Sequence, residues 1–117
     1  MIPKFKAFIK NAGVVVHVQE LNFKYEEIVW EGSKYTEVEI FQDIELMQST
    51  GVKDKNNIEI YEGDILKGPM DYGPAGFIEN IDSVRYHKIY GFRLNYFLLE
   101  YTEVIGNIYE NGDLLNG

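Results

Sequence analysis

The chain has 117 residues, no cysteine and a formal charge of −8, with 45 % apolar and 15 % aromatic residues. That length fits one folded domain, 1–117, with a modest core, and the aromatic content excludes a disordered chain. The missing thiols exclude disulfides, thiolate zinc sites and a cysteine nucleophile, and the acidic balance opposes a polyanion except where bases are concentrated.

In chain order, Phe5, Ala7 and Ile9 alternate with Lys4, Lys6, Phe8 and Lys10. That period predicts a half-buried strand with a lysine-rich outer face, as at a sheet edge. Asn11-Ala12-Gly13 makes a turn, after which Val14, Val16 and Val18 oppose Val15, His17 and Gln19 on a second strand. Residues 21–30 fit a helical face through Leu21, Tyr25 and Ile28, and a strand through Phe23, Tyr25, Val29 and Trp30; Gly32 and the flanking strands favour strand. Thr36, Val38 and Ile40 then alternate with Tyr35, Glu37 and Glu39, a strand with an acidic outer face. Residues 43–50 read as a short helix, capped by Asp43 and stopped by Gly51.

Lys53-Asp54-Lys55-Asn56-Asn57 is a polar turn, followed by a short strand through Ile58, Ile60 and Tyr61. Glu62-Gly63-Asp64 turns again and Ile65-Leu66 opens another strand. GPMDYGPAG, residues 68–76, holds three glycines and two prolines and reads as a loop that no sheet interior accepts. Phe77-Ile78 resumes the sheet, two long strands over 83–90 and 92–101 flank Gly91, and Val104–Tyr109 is the last strand before Asn111-Gly112. About eight to ten short strands with regular turns describe an all-β barrel or sandwich with at most one or two short helical turns.

Several constellations carry candidate chemistry. Glu59, Glu62, Asp64 and Asp71 supply oxygen ligands for a divalent cation, the basis of a metal-dependent hydrolase or nuclease reading, but Glu62-Gly63-Asp64 reads more simply as a tight turn. His17 and His87 could each be drawn into a triad with Ser33, Ser49 or Ser83 and an acid, but no G-x-S-x-G elbow accompanies these serines, and a surface or packing role is the simpler reading. The glycines of 68–76 lack the lysine and hydroxyl of a phosphate loop, and Pro69 and Pro74 remove two N–H donors, which leaves a loop whose Met70, Tyr72 and Phe77 form a partner-binding tip. Residues 83–99 interleave Arg85, His87, Lys88 and Arg93 with Tyr86, Tyr90, Phe92, Tyr96 and Phe97, and contain no acid. Cations neutralise phosphates and aromatic faces stack bases, so Arg85, Lys88, Tyr90 and Arg93 are candidate contacts to a partner or nucleic acid. The competing reading is an ordinary sheet whose arginines pair with nearby acidic strands. The acidic run 20–45 is a solvated face, or a surface that docks on a basic partner.

ELMQSTGVKDKNNIEIYEGDIL (Glu45–Leu66), with IPKFKAF near the start and VIGNIYENGDLL (Val104–Leu115) near the end, resembles the YopX family. The resemblance implies an SH3-like β-barrel, a phage or prophage setting and no enzymatic activity or cofactor. It also implies that Leu46, Ile60, Ile65 and Ile105 pack the barrel while Gly51, Gly63 and Gly106 serve turns or bulges.

No apolar run reaches the roughly 18 residues of a membrane span, and the N-terminus lacks the apolar centre of a signal peptide. The expectation is a cytoplasmic, non-enzymatic binding or assembly protein with no catalytic, cofactor or metal residues. Self-association through edge strands such as 4–10, and protein partners, are expected; a nucleic-acid-binding SH3-like module is the alternative, and no membrane partner is expected.

Overall fold

The computed structural model describes residues 4–94 and 96–116, and every regular element among them is a strand apart from four short 3₁₀ turns. The first six strands are β1 (Phe5–Ile9), β2 (Val14–His17), β3 (Glu20–Asn22), β4 (Glu27–Glu31), β5 (Thr36–Ile40) and β6 (Ile44–Lys53). The remaining six are β7 (Glu59–Tyr61), β8 (Asp64–Asp71), β9 (Phe77–Ser83), β10 (Arg85–His87), β11 (Gly91–Arg93) and β12 (Glu103–Asn107). The 3₁₀ turns span Phe41–Asp43, Gly73–Ala75, Leu99–Tyr101 and Gly112–Asn116, more than the one or two short helical turns expected. Among the described residues no helix is long and apolar enough to cross a membrane. The chain divides between Gln48 and Ser49 into two compact units.

In the first unit β1 lies between β2 and β6, paired antiparallel with both. It is therefore an interior strand, and the expected edge at 4–10 is not one. Its lysines mark a face: Lys10 donates to the Gln42 carbonyl at 3.0 Å and lies 3.6 Å from Glu45. The opposite face buries Ala7 and Ile9 with Ile28 and Ile44, and Val16, Val18, Leu21, Trp30 and Leu46 pack around them. Burial of each of these isoleucines contributes about 1.5–3 kcal/mol.

Residues 21–30 form parts of β3 and β4 rather than one strand. The chain reverses through Phe23–Glu26, where the Asn22 side chain accepts the Tyr25 N–H at 3.1 Å and Glu26 takes a φ of +52°. β5 closes this three-stranded sheet as an edge strand, and its apolar face stays open: Val38 and Ile40 are exposed. The short helix expected over 43–50 is strand β6. Ile44 and Leu46 pack alternately onto the first core while the backbone pairs with β1, and a segment this short cannot nucleate a helix against that competition. Gly51 stops no helix; at φ +79° it sits in the register break between Ser49 and Lys53 opposite β7.

In the second unit β8 is the central strand, paired with β12 on one side and β9 on the other. It runs through Gly68-Pro69-Met70-Asp71, so the first four residues of the expected loop are sheet and residues 72–76 are loop. The Pro69 carbonyl accepts the Leu98 N–H at 3.0 Å, on the side away from β9. A residue's N–H and C=O share a side of the strand, so the missing proline donor removes nothing from the β8–β9 ladder. Gly68 admits the close approach of Thr102, whose Oγ1 lies 2.3 Å from where a Cβ would stand.

Ile60, Leu66, Met70, Val84 and Phe97 form the second core, with Phe92, Leu94, Leu99 and Val104 packed against it. Ile65 is also fully buried, whereas Ile105 is half-buried at the register break of β12. The two long strands expected around Gly91 are the three-residue strands β10 and β11, followed by a 3₁₀ turn. Gly91 supplies the φ of +72° that lets so short a hairpin close.

Candidate functional site

The carboxylates that suggested a cation site serve the fold. Asp64 is buried and its Oδ2 accepts the Tyr61 N–H at 2.7 Å, closing the turn in which Gly63 takes a φ of +90°. Asp71 Oδ1 accepts the Gly73 N–H at 2.8 Å and starts the 72–76 loop. Glu59 hydrogen-bonds the buried Tyr61; burial first, then the Glu59 charge, pushes that phenol up to about 12. Among the described residues no three histidine or acidic side chains gather closely enough to hold a metal ion.

Residues 83–99 are organised differently. Phe92 and Leu94 pack on the second core, which fixes β11 and, by alternation, turns Arg93 outward between them. The register of the hairpin sets Arg85 directly opposite Arg93, Tyr86 opposite Phe92 and His87 opposite Gly91. Tyr86 meets the Phe92 ring edge-on at 5.2 Å across the two strands and stays exposed. The other face presents two arginines as a cross-strand pair, an arrangement in which like charges destabilise a sheet. Arg85 Nε reaches only the Ser83 hydroxyl at 3.4 Å, and among the described residues neither arginine has a carboxylate within ion-pair distance. The reading in which nearby acidic strands neutralise them is therefore not what the structure contains.

At the tip, His87 Nδ1 accepts the N–H groups of Ile89 and Tyr90 at 3.1 and 3.4 Å, and the His87 and Tyr90 rings stack at 4.9 Å. Lys88 is exposed there, and Ile89 and Tyr90 are 78 % and 74 % exposed. Tyr96 completes the surface. Its backbone carbonyl accepts the Asp71 N–H at 3.3 Å, its φ is +61°, and its side chain is 74 % exposed. A bulky residue held in the left-handed region is strained, and such strain clusters at binding sites. Tyr90, Phe92, Arg93, Leu94 and Tyr96 line an open pocket of about 440 Å³.

Of the residues singled out from sequence, Arg85, Lys88, Tyr90 and Arg93 thus share one hairpin. Tyr72 does not line this pocket; its hydroxyl accepts from Asn80 Nδ2 at 3.0 Å at the base of the 72–76 loop. Tyr96 belonged to the same aromatic strip in sequence, but its strain had no local signal.

The family model of the YopX protein matches residues 4–116. The chain belongs to the YopX family. The chain is also similar to a solved structure, the crystal structure of protein EF1440 from Enterococcus faecalis, at 28 % identity and a TM-score of 0.67, over 98 % of this chain and 99 % of that one. No protein of curated function matches it.

Proposed function

We propose that this YopX protein is a non-enzymatic binding or assembly protein that docks an anionic partner through the β10–β11 hairpin, in a bacterial cytoplasm during phage growth or lysogeny. The observation that carries the reading is the unneutralised Arg85–Arg93 pair in a chain with 19 acidic residues, none of them between 83 and 99. Fold stability gives no reason to set two arginines face to face, whereas guanidinium forks bind carboxylate or phosphate oxygens in pairs. The frame would be an SH3-like barrel built in the second unit, supported by its short antiparallel strands and by the 3₁₀ turn leading into β12. Self-association is part of the proposal, and the open apolar face of edge strand β5, rather than 4–10, is the surface offered for it.

Retention on immobilised heparin, a polyanion without bases, tests the docking surface. The wild type is expected to bind at low salt despite its net charge, and the double variant Arg85→Ser, Arg93→Ser to elute at clearly lower salt. A wild type that flows through at low salt overturns the reading. Sedimentation at high protein concentration tests assembly, and a strict monomer counts against it.

A further inference from the structure

The geometry points to single-stranded nucleic acid as the ligand of this hairpin, with a base stacked in the pocket between Tyr90 and Tyr96 and phosphates held by Arg85, Lys88 and Arg93. This rests on the anion-docking reading and narrows it to one ligand class.

Three observations favour it over an acidic protein surface. First, the cations alone would serve a carboxylate partner, yet the hairpin tip and the segment after β11 also expose Ile89, Tyr90 and Tyr96, and Arg93 lines the same pocket as both tyrosines. Aromatic faces beside cations are what an unpaired base and its phosphate require together. Second, one ring is preset: Tyr90 is stacked on His87 at an interplanar angle of 29°, while Tyr96 stands beside the pocket at a φ of +61° with its side chain exposed. Third, the pocket of about 440 Å³ lies in the size range of small-ligand sites and is open on one side, so a chain can pass across it. A duplex fits less well. Its bases are stacked on one another and offer no free face to the tyrosines, and β10 and β11, at three residues each, make too short a ribbon to fill a groove. The lower charge density of a single strand also suits a protein of net charge −8.

The test is fluorescence anisotropy with a labelled 12-nucleotide single strand, competed by the matching duplex, by heparin and by polyglutamate. The single strand is expected to bind more tightly than the other three, with a log–log salt slope of about −2 for three phosphate contacts. Tyr90→Ala and Tyr96→Ala are expected to weaken it about 5- to 150-fold each. Heparin retention should be unchanged in both, and Tyr90→Phe and Tyr96→Phe should keep oligonucleotide binding. Circular dichroism of each variant confirms that the fold persists. If the tyrosine variants bind the oligonucleotide like the wild type, or duplex or heparin competes as well as the single strand, bases are not read and this inference fails while anion docking stands. Tighter binding of polyglutamate assigns the hairpin to an acidic protein and overturns it. Failure to bind heparin and oligonucleotide alike removes both readings.

Discussion

Asp54 is the residue whose removal should cost this fold most for its size. It is 6 % exposed. Its Oδ1 accepts the N–H groups of Asn56 and Ile58 at 2.8 and 2.9 Å, and its Oδ2 accepts the N–H of Val104 at 2.9 Å. One carboxylate thus closes the 54–58 turn and ties it to β12. Asp54→Ala strands three backbone donors, each costing about 1–3 kcal/mol where water cannot reach. Part of the turn opens to solvent, so a total of about 3–5 kcal/mol is expected. Asp54→Asn keeps one oxygen for the turn but sets an amide N–H₂ against the Val104 donor, for about 2 kcal/mol. With roughly 2.1 cal/mol/K of unfolding entropy per residue, 117 residues melting together shift by about 4 °C per kcal/mol, so the expected drops are about 8 °C for Asn and 12–20 °C for Ala. The pH dependence has a definite sign. Burial acts to raise the Asp54 carboxyl, but the bonds from Val104, Ile58 and Asn56 and the Lys55 charge outweigh it and hold it below its ordinary 3.8. The native state therefore binds fewer protons in acid than the unfolded chain. The stabilisation is complete above about pH 4 and is lost as pH falls through the depressed native value. Thermal melts followed by circular dichroism from pH 7 to pH 2 test this. If Asp54→Asn melts within 2 °C of the wild type at pH 7, or follows the same acid-loss curve, the clamp is not what holds β12.

Further outcomes follow from the same packing. Gly68→Ala places a Cβ 2.3 Å from Thr102 Oγ1 and 2.8 Å from its Cα, so the urea midpoint should fall by the equivalent of about 2–4 kcal/mol; an unchanged midpoint would show that β8 and Thr102 can part freely. Tyr61, pushed up to about 12, is neutral in the native state while the unfolded phenol ionises near 10, so its stabilisation is whole below pH 10 and declines by about 2–3 kcal/mol as pH rises to 12. Tyr61→Phe should flatten that alkaline limb, and parallel wild-type and variant curves in alkaline denaturation would contradict it. Arg93→Thr relieves the like-charge pair and should stabilise the chain by about 0.2–1 kcal/mol at low salt, with the gain shrinking in high salt, as read by urea unfolding at two ionic strengths. A loss of stability instead would mean that Arg93 has a structural partner.

Alternation made most strands legible because each needs only neighbours two apart in sequence. Ala7 and Ile9, or Phe92 and Leu94, announce their inward faces locally. What could not be read depends on partners far along the chain. Ile44, Leu46 and Met47 fit a helix turn and a strand equally, and only pairing with β1 decides between them. Pro69 argued against a strand interior because no sequence shows which side of a strand a residue's N–H will face. Lys4, Lys6 and Lys10 marked the face turned from the core, on which Lys4 and Lys10 are exposed and Lys6 is half-buried, but not whether that face lay at an edge. The site was half legible in the same way. Composition gathered Arg85, Lys88, Tyr90 and Arg93, but the register that brings Arg93 against Arg85 needed the hairpin itself. Asp54 looked like one polar turn residue among five, since its decisive partner lies 50 residues away.

The hairpin separates anchoring from display at one-residue resolution. Phe92 and Leu94 are committed to the core and Tyr86 to the Phe92 ring, so the positions between and opposite them are free of packing demands. A surface selected for stability alone would fill such positions with opposite charges or β-branched residues, each favourable across a strand pair. Here they hold two arginines, and the adjoining Tyr96 keeps a backbone angle that glycine would adopt without strain. Both features are unfavourable for the isolated fold by amounts small beside its core; an anion bridging the guanidinium groups relieves the first, and stacking on the Tyr96 ring offsets the second. Local costs set side by side at one exposed surface are the pattern expected of a surface shaped by what it binds.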